Sequence, residues 1–291
     1  MKKNFENKVV WITGASSGIG EALVYQFNSY NANVIISARN IEALNKVKCN
    51  CDYPDNIFIL PMDLSKAEEI GEKADVAYNH WGRIDFMIHN AGIAARDRVE
   101  DISEEVDRMI METNYFGPVI LTKALLPKMK IAGNCHLVVV SSMSGEYGVP
   151  KLSAYSASKH ALHGFFESLR AETANSGINI TMVIPGFIKT NIITNGTDGK
   201  GRERKRDLEV NSKGMEPGAC ARKILKAINL KREECLVGNS EILSIYVNRL
   251  FPGLFRRIVR NHPMKWMKKV KELFSLRTFE KREPVLLTTI K

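Results

Sequence analysis

Lys8-Val9-Val10-Trp11-Ile12-Thr13-Gly14-Ala15-Ser16-Ser17-Gly18-Ile19-Gly20 is the stretch whose reading decides the fold. Its first five residues are apolar and largely β-branched after the lysine, the composition of a short buried strand. The run stops at Thr13-Gly14 and passes into a helical pattern over residues 21–30. This is strand, glycine turn, helix. Glycines admit positive φ and carry no Cβ, so such a turn lets backbone N–H groups at a helix N-terminus approach a pyrophosphate. The spacing is G-x-x-x-G-x-G rather than G-x-G-x-x-G, and on its own the turn serves equally as a tight connection.

Downstream, the pattern repeats. Asn33-Val34-Ile35-Ile36-Ser37 reads as a second strand and is followed by Ala38-Arg39-Asn40, with no acid to meet a ribose 2′-hydroxyl and an arginine where a 2′-phosphate is accommodated. Strands are expected at residues 57–60, 84–89, 136–142, 178–184 and 234–238, and helices between them. Ser65 and Glu68 have capping-box spacing. A long helix over about 103–130 contains Asn114 and is marked as irregular by Pro118. Regular alternation predicts an α/β fold, a doubly wound parallel sheet of about seven strands with helices on both faces. One catalytic domain is expected over 1–240, with a loop or lid at 187–214, and 241–291 forms a C-terminal helical, basic extension.

The 44% hydrophobic content of the 291-residue chain is ample for a buried core. The polar opening residues do not read as a signal peptide, and no run of about eighteen apolar residues suggests a spanning helix. Five cysteines, an odd number without secretory context, read as reduced thiols of a cytoplasmic protein. Cys49-x-Cys51 has no second Cys or His pair at ligand spacing, so surface thiols are expected and no metal site. The net charge of +10 is concentrated near 200–206 and 249–281, which directs attention to anionic partners.

Tyr155-Ser156-Ala157-Ser158-Lys159 places a phenol and an ammonium four residues apart on one helical face, and Ser142 lies thirteen residues upstream at a strand end. Free tyrosine titrates near about 10. An ammonium about 4 Å away is worth about 4 kcal/mol at an effective dielectric of about 20, enough to lower the phenol by up to about three units before desolvation opposes it. Tyr155 is then a general acid/base. By itself a Tyr-x-x-x-Lys pair is common on helix surfaces.

In order along the chain, Thr13-Gly14-x-x-x-Gly18-x-Gly20, Asn90-Ala91-Gly92, Asn114, Ser142, Tyr155-x-x-x-Lys159 and Pro185-Gly186-x-x-x-Thr190 resemble the short-chain dehydrogenase/reductase family over about residues 5–240. His89 stands where that family often has asparagine. The resemblance implies a Rossmann-like fold and an NADP(H)-dependent oxidoreductase. Tyr155 would be the acid/base, Lys159 would lower its pKa and bind the nicotinamide ribose, Ser142 would orient the substrate oxygen, and Asn114 would hold a water of a proton relay. Gly14, Ser16, Ser17, Gly18, Ile19 and Gly20 would hold the pyrophosphate, and Asp63, Leu64, Asn90, Ala91 and Gly92 the adenosine side. Pro185, Gly186, Ile188 and Thr190 would contact the nicotinamide. Arg39, with Asn40, matches the place that meets the 2′-phosphate, which implies NADPH in preference to NADH, although Ser17 stands where a second basic residue is usual. A homodimer or homotetramer paired through the helices near 103–130 and 153–176 is also implied.

Met143, Tyr147, Val149, Phe187, Ile188 and Ile192 flank these positions and suggest a lipophilic carbonyl or alcohol, although core packing accounts for apolar residues equally well. A cofactor-binding regulatory protein without turnover is the alternative, and the full catalytic set weighs against it. Basic charge without a recognition motif gives no specific nucleic-acid partner. In the extension, Leu243, Val247, Leu250, Phe251, Leu254, Phe255 and Ile258 share one side at helical period and Arg249, Arg256 and Arg260 the other, with Pro252-Gly253 splitting the pattern. Lys265, Trp266, Lys268, Lys269, Lys271 and Phe274 follow. Such a face either packs on protein or attaches peripherally to an anionic membrane.

Overall fold

A computed structural model of the chain describes residues 2–190, 192, 196–203 and 214–261. The strands are β1 (Val9–Thr13), β2 (Asn33–Ser37), β3 (Ile57–Ile59), β4 (Phe86–His89), β5 (Cys135–Val140), β6 (Ile178–Pro185) and β7 (Glu234–Val237). They form one sheet in the order β3-β2-β1-β4-β5-β6-β7, parallel throughout. The helices are α1 (Lys2–Phe5), α2 (Gly18–Asn28), α3 (Ile41–Cys49), α4 (Ala67–Trp81), α5 (Glu104–Met111), α6 (Gly117–Ala132), α7 (Ser153–Glu172), α8 (Pro217–Asn229), α9 (Leu243–Leu250) and α10 (Pro252–Asn261).

Every residue of β1 and β5 is buried, because helices cover both sheet faces. Val10 and Ile12 point to one side, into a cluster with Leu23, Val24 and Phe27 of α2 and Ile224 and Leu225 of α8. Trp11 points to the other side and is also buried; its indole N–H donates to Ser37 Oγ at 2.8 Å. The strand order reverses between β1 and β4, and the crevice beyond the carboxyl ends of such a pair is where open α/β sheets take ligands. The residue stretches that follow β1 and β4 are Gly14–Gly20 and Asn90–Gly92.

Three local expectations are corrected. Ser65 does not cap a helix with Glu68; α4 begins at Ala67, and the Ser65 amide and hydroxyl both donate to Asp63 Oδ1, at 3.0 and 2.8 Å. The short local hydrogen bonds of an Asp turn outcompete the capping box. The long helix near 103–130 is interrupted not at Pro118 but just before it, by a π turn over Glu112–Phe116 closed by Gly117 N–H to Glu112 O. Pro118 offers no N–H to the turn that precedes it and sits in the first turn of α6, where none is needed. Of the expected surface thiols only Cys49 is exposed; Cys51 is buried and donates to Val47 O at 3.3 Å. The segment near 187–214 is tied by isolated bridges, Ala95 with Thr197, Ile188 with Met215 and Thr197 with Glu203, over its described residues.

The chain divides into two compact units, residues 1–239 and 240–291. In the second, α9 and α10 meet at Phe251-Pro252. Ile245, Val247, Phe255 and Ile258 are buried, whereas Tyr246, Leu250, Phe251 and Leu254 are exposed, so the expected single apolar side is split between a covered and an open part. Lys265, Trp266, Lys268, Lys269, Lys271 and Phe274 lie outside the described residues.

Ser37→Ala leaves the buried Trp11 N–H without its acceptor, which costs about 1–3 kcal/mol. Urea unfolding should show a loss of that size, and an unchanged unfolding midpoint would contradict the pairing.

Candidate active site

The glycine turn is built as a cradle. Gly14 and Gly18 both have left-handed φ, +64° and +63°, and a Cβ on Gly14 would stand 2.7 Å from Ala91 Cα. At Gly20 a Cβ would meet Gly14 O at 2.2 Å, so the turn folds back on its own carbonyl only because that residue is glycine. Ser17, the residue before α2, makes no side-chain cap, which leaves the amides at the helix N-terminus facing the crevice. Asn90 fixes the turn from the next strand: its Nδ2 donates to Thr13 O at 3.0 Å and to Gly14 O at 3.1 Å. Thr13 answers, its hydroxyl oxygen accepting from the amides of Asn90 and Ala91. Thr190 closes the far side, with its methyl 3.0 Å from where a Gly18 Cβ would be. Backbone donors, a helix N-terminus and missing Cβ atoms fit a dinucleotide pyrophosphate.

Beyond the end of β5, residues 140–142 face three positions of α7. The Tyr155 phenol lies beside Ser142, whose side chain acts to lower its pKa. Lys159 Nζ donates to Val140 O at 3.0 Å and lies 5.7 Å from the Tyr155 ring centroid. The Ser142 hydroxyl oxygen also accepts from Ser144 N at 3.1 Å, which leaves its proton to be donated. Asn114 is fully buried in the π turn rather than facing water. Its Oδ1 accepts from Ile93 N at 2.8 Å, and its Nδ2 donates to Ile93 O at 2.9 Å and Ser158 Oγ at 3.0 Å. Asn114 Oδ1 and Lys159 Nζ each approach within 3.4 Å of the point where a Gly92 Cβ would sit, so glycine keeps the space between them open.

Electrostatics correct one expectation. Burial pushes the Tyr155 phenol up to about 12, opposed by the Ser142 side chain, and burial pushes Lys159 down to about 8. Desolvation is the largest influence on both groups, and the Lys159 ammonium makes its hydrogen bond to the Val140 carbonyl. Burial therefore favours the protonated form of Tyr155.

The remaining expected residues are spread around the crevice. Arg39 is exposed beyond the end of β2. The Asn40 side chain caps α3 by accepting from Ala43 N at 2.9 Å. Asp63 holds Ser65, and Leu64 is buried with its carbonyl against Gly117. Pro185 ends β6, Gly186 N donates to Val237 O at 2.7 Å, and Ile188 is buried in the α2 and α8 cluster. Ser16 lies in the turn itself, and Ile19 in the first turn of α2. His89 is buried and neutral, pushed down to about 3 by burial, with Nε2 2.9 Å from Thr122 Oγ1.

A family model described as short chain dehydrogenase matches residues 8–201, most of the chain and all of the elements just described up to the Thr190 side of the crevice. The chain belongs to the short-chain dehydrogenase family. Among its relatives, the Drosophila melanogaster dehydrogenase/reductase SDR family protein 7-like is 37% identical over 272 residues, covering 91% of this chain and 83% of the relative. A Burkholderia phymatum short-chain dehydrogenase/reductase in complex with NAD shares the fold, with a TM-score of 0.76 at 20% identity over 86% of this chain and 95% of that one. A Thermococcus sibiricus alcohol dehydrogenase complexed with 5-hydroxy-NADP superposes with a TM-score of 0.68 at 26% identity, covering 79% of this chain and 96% of that one. Membership makes this protein an oxidoreductase on a fold that binds nicotinamide dinucleotides.

Sequence reasoning missed Thr13 as the residue that ties the turn to Asn90, and missed Ser141, Glu146 and His163 beside Ser142 and Lys159. The first had a readable signal, a threonine opening the glycine motif at a strand end. The others become neighbours only through tertiary contact.

The drop of Lys159 from 10.5 to about 8, at about 1.4 kcal/mol per unit, corresponds to a destabilisation of about 3 kcal/mol while both folded and unfolded chains carry the charge. That penalty is full below pH 8 and fades between pH 8 and 10.5, where the folded chain has released the proton and the unfolded chain has not. Lys159→Met should therefore raise unfolding stability at pH 7, and the advantage should shrink toward pH 10.5. A variant less stable at pH 7 would contradict the reading of Lys159 as a charge buried at a cost.

Proposed function

We propose that the protein is an NADP(H)-dependent oxidoreductase that moves a hydride between the nicotinamide and a carbonyl or secondary alcohol carbon. The placing of Tyr155 beside Ser142 and of Lys159 on the Val140 carbonyl, all at the end of β5, carries this reading. A bound nicotinamide dinucleotide supplies or accepts the hydride. In the reducing direction the Ser142 hydroxyl, its oxygen already engaged by Ser144 N, donates to the substrate oxygen and steadies the charge that grows there. Tyr155 delivers the proton to that oxygen. A phenol held protonated by burial suits this direction, because the acid form is the one consumed. Lys159, next to the space kept open by Gly92, connects the phenol region to Asn114, and a water between Lys159 and Asn114 would return the proton. The four residues in working geometry disfavour a regulatory protein without turnover.

NADPH as the preferred cofactor rests on Arg39, exposed beyond β2 with Asn40 occupied as a helix cap, so that the arginine is the residue of this pair left to meet a 2′-phosphate. The lipophilic character of the substrate rests on Ala94, Leu152 and Tyr155 packed with Val149 and Ile192. A homodimer or homotetramer through α6 and α7 is supported by Phe116, exposed beside Tyr115, which in turn meets Phe165. We place the protein in the cytoplasm with peripheral membrane contact, and that contact is supported by the exposed Leu250, Phe251 and Leu254 among exposed Arg249, Arg256 and Arg257. No described helix is long and apolar enough to cross a membrane.

Tyr155→Phe removes the transferable proton and little volume, so turnover of cyclic and aromatic ketones should fall by more than about a hundredfold while NADPH still binds; retention within about tenfold would contradict the role. Arg39→Asp should shift the NADPH-to-NADH ratio of kcat/KM about ten- to a hundredfold toward NADH, as loss of a charge-assisted contact worth about 1.5–3 kcal/mol requires. A wild type indifferent to the 2′-phosphate would contradict it. Full-length protein should sediment with phosphatidylserine-containing vesicles at low salt, and Leu250→Ser with Phe251→Ser should abolish this while leaving the charge intact; equal sedimentation of the double variant would reject insertion.

A further inference from the structure

Residues 140, 141 and 142 meet α7 at Lys159, His163 and Tyr155 respectively, one helical turn apart along the helix. The first and last of these contacts belong to the site already described. The middle one does not: Ser141 Oγ is 2.8 Å from His163 Nε2, and His163 Nδ1 is 3.6 Å from Glu146 Oε1. Ser141 is 3% exposed, and the side chains of His163 and Glu146 are 14% and 9% exposed. The order Ser–His–Glu has the polarity of a nucleophile triad, but a hydroxyl so enclosed admits no substrate, so its role is structural toward the neighbouring site. Gly145 shows how closely the parts are fitted. A Cβ there would meet Ser141 Oγ at 2.6 Å, His163 Nε2 at 2.8 Å and the Lys159 carbonyl at 3.1 Å.

We propose that His163 is a positioning residue that locks Ser142 in register with Tyr155, by holding the adjacent Ser141 through Nε2 and the end of the same segment through Glu146. The proposal rests on the reading of Ser142 and Tyr155 given above. In the neutral ring, Nδ1–H faces the Glu146 carboxylate and Nε2 accepts the Ser141 proton, one consistent direction of donation. Protonation makes Nε2 a donor. The Ser141 hydroxyl then has to accept and turn its own proton away, so the contact beside Ser142 reverses its direction of donation. The charged and titratable groups that act on His163 come from several elements: Glu146 from the β5–α7 connection, His160 and Glu167 from α7 itself, and Glu234 from β7. Burial, the largest influence, pushes His163 below its ordinary value, the three carboxylates pull it up and His160 pushes it down, so the neutral lock is the form present at neutral pH.

The test uses the full-length protein with carbon-13-labelled histidine and tyrosine, followed by NMR from pH 7.5 to 5 without substrate. The Tyr155 ring signals, assigned by their loss in Tyr155→Phe, should move with the same midpoint as His163, below about 6.5, and should stop moving in His163→Gln. Tyr155 signals indifferent to His163 titration would overturn the proposal, and because no turnover is read, that failure is separate from any failure of the oxidoreductase reading. In ketone reduction with NADPH, His163→Leu should lower kcat about tenfold with an unchanged KM for NADPH and without the acid inflection of the wild type. His163→Gln, whose amide oxygen can still accept from Ser141, should recover part of the rate but not the inflection. An inflection that persists in His163→Gln would overturn the proposal even where His163→Leu fails to fold.

Discussion

The ammonium of Lys159, a residue only 2% exposed, held by the Val140 carbonyl, is the constraint on which the site depends. Lys159 reaches that carbonyl only because β5 ends there and α7 runs back across the strand end. The same crossing brings Tyr155 to Ser142. Neither element is placed by the site itself. The all-buried β5, paired with β6 over its length and with β4 over His136–Val139, sets where residues 140–142 stand, and α7 is set by the packing of Leu162, Phe166 and Leu169, all buried. The apolar sheet core therefore covers the cost of desolvating Lys159, in the common pattern where functional sites hold strain that the rest of a fold supports.

Burial then decides which protonation state the site keeps. An argument from charge separation alone makes Tyr155 an easily ionised phenol. With both groups out of water the balance reverses: the phenol is raised and the lysine lowered, since each charged form has lost its hydration. The reduction proposed above would use the acid form of the phenol, which is the form that burial favours.

The elements most legible in the sequence were those whose residues are constrained on all sides. Strands β1, β2, β5 and β6 read directly, because burial on both sheet faces enforces β-branched runs. The glycine turn read directly too, because Gly14, Gly18 and Gly20 each occupy a place that any Cβ would obstruct. Legibility failed where local signals compete or where contact is purely tertiary. The helical period runs straight through residues 103–130 and hides the π turn that buries Asn114. Ser65 satisfies a capping spacing and an Asp turn equally well on paper, and the shorter hydrogen bonds prevail. Leu250, Phe251 and Leu254 share a helical face with residues that are buried, yet the bend at Pro252 leaves them exposed. Ser141 and His163, twenty-two residues apart, carry no spacing signal at all.

The central claim is that Tyr155 is held as a protonated acid by burial. Its most direct test is an absorbance titration near 295 nm of the cofactor-free protein, taken as the difference between the wild type and Tyr155→Phe. The account predicts no phenolate signal from this residue at pH 7 to 9 and ionisation only toward about 12. A difference signal rising near pH 7 would contradict it and restore the lysine-activated phenolate.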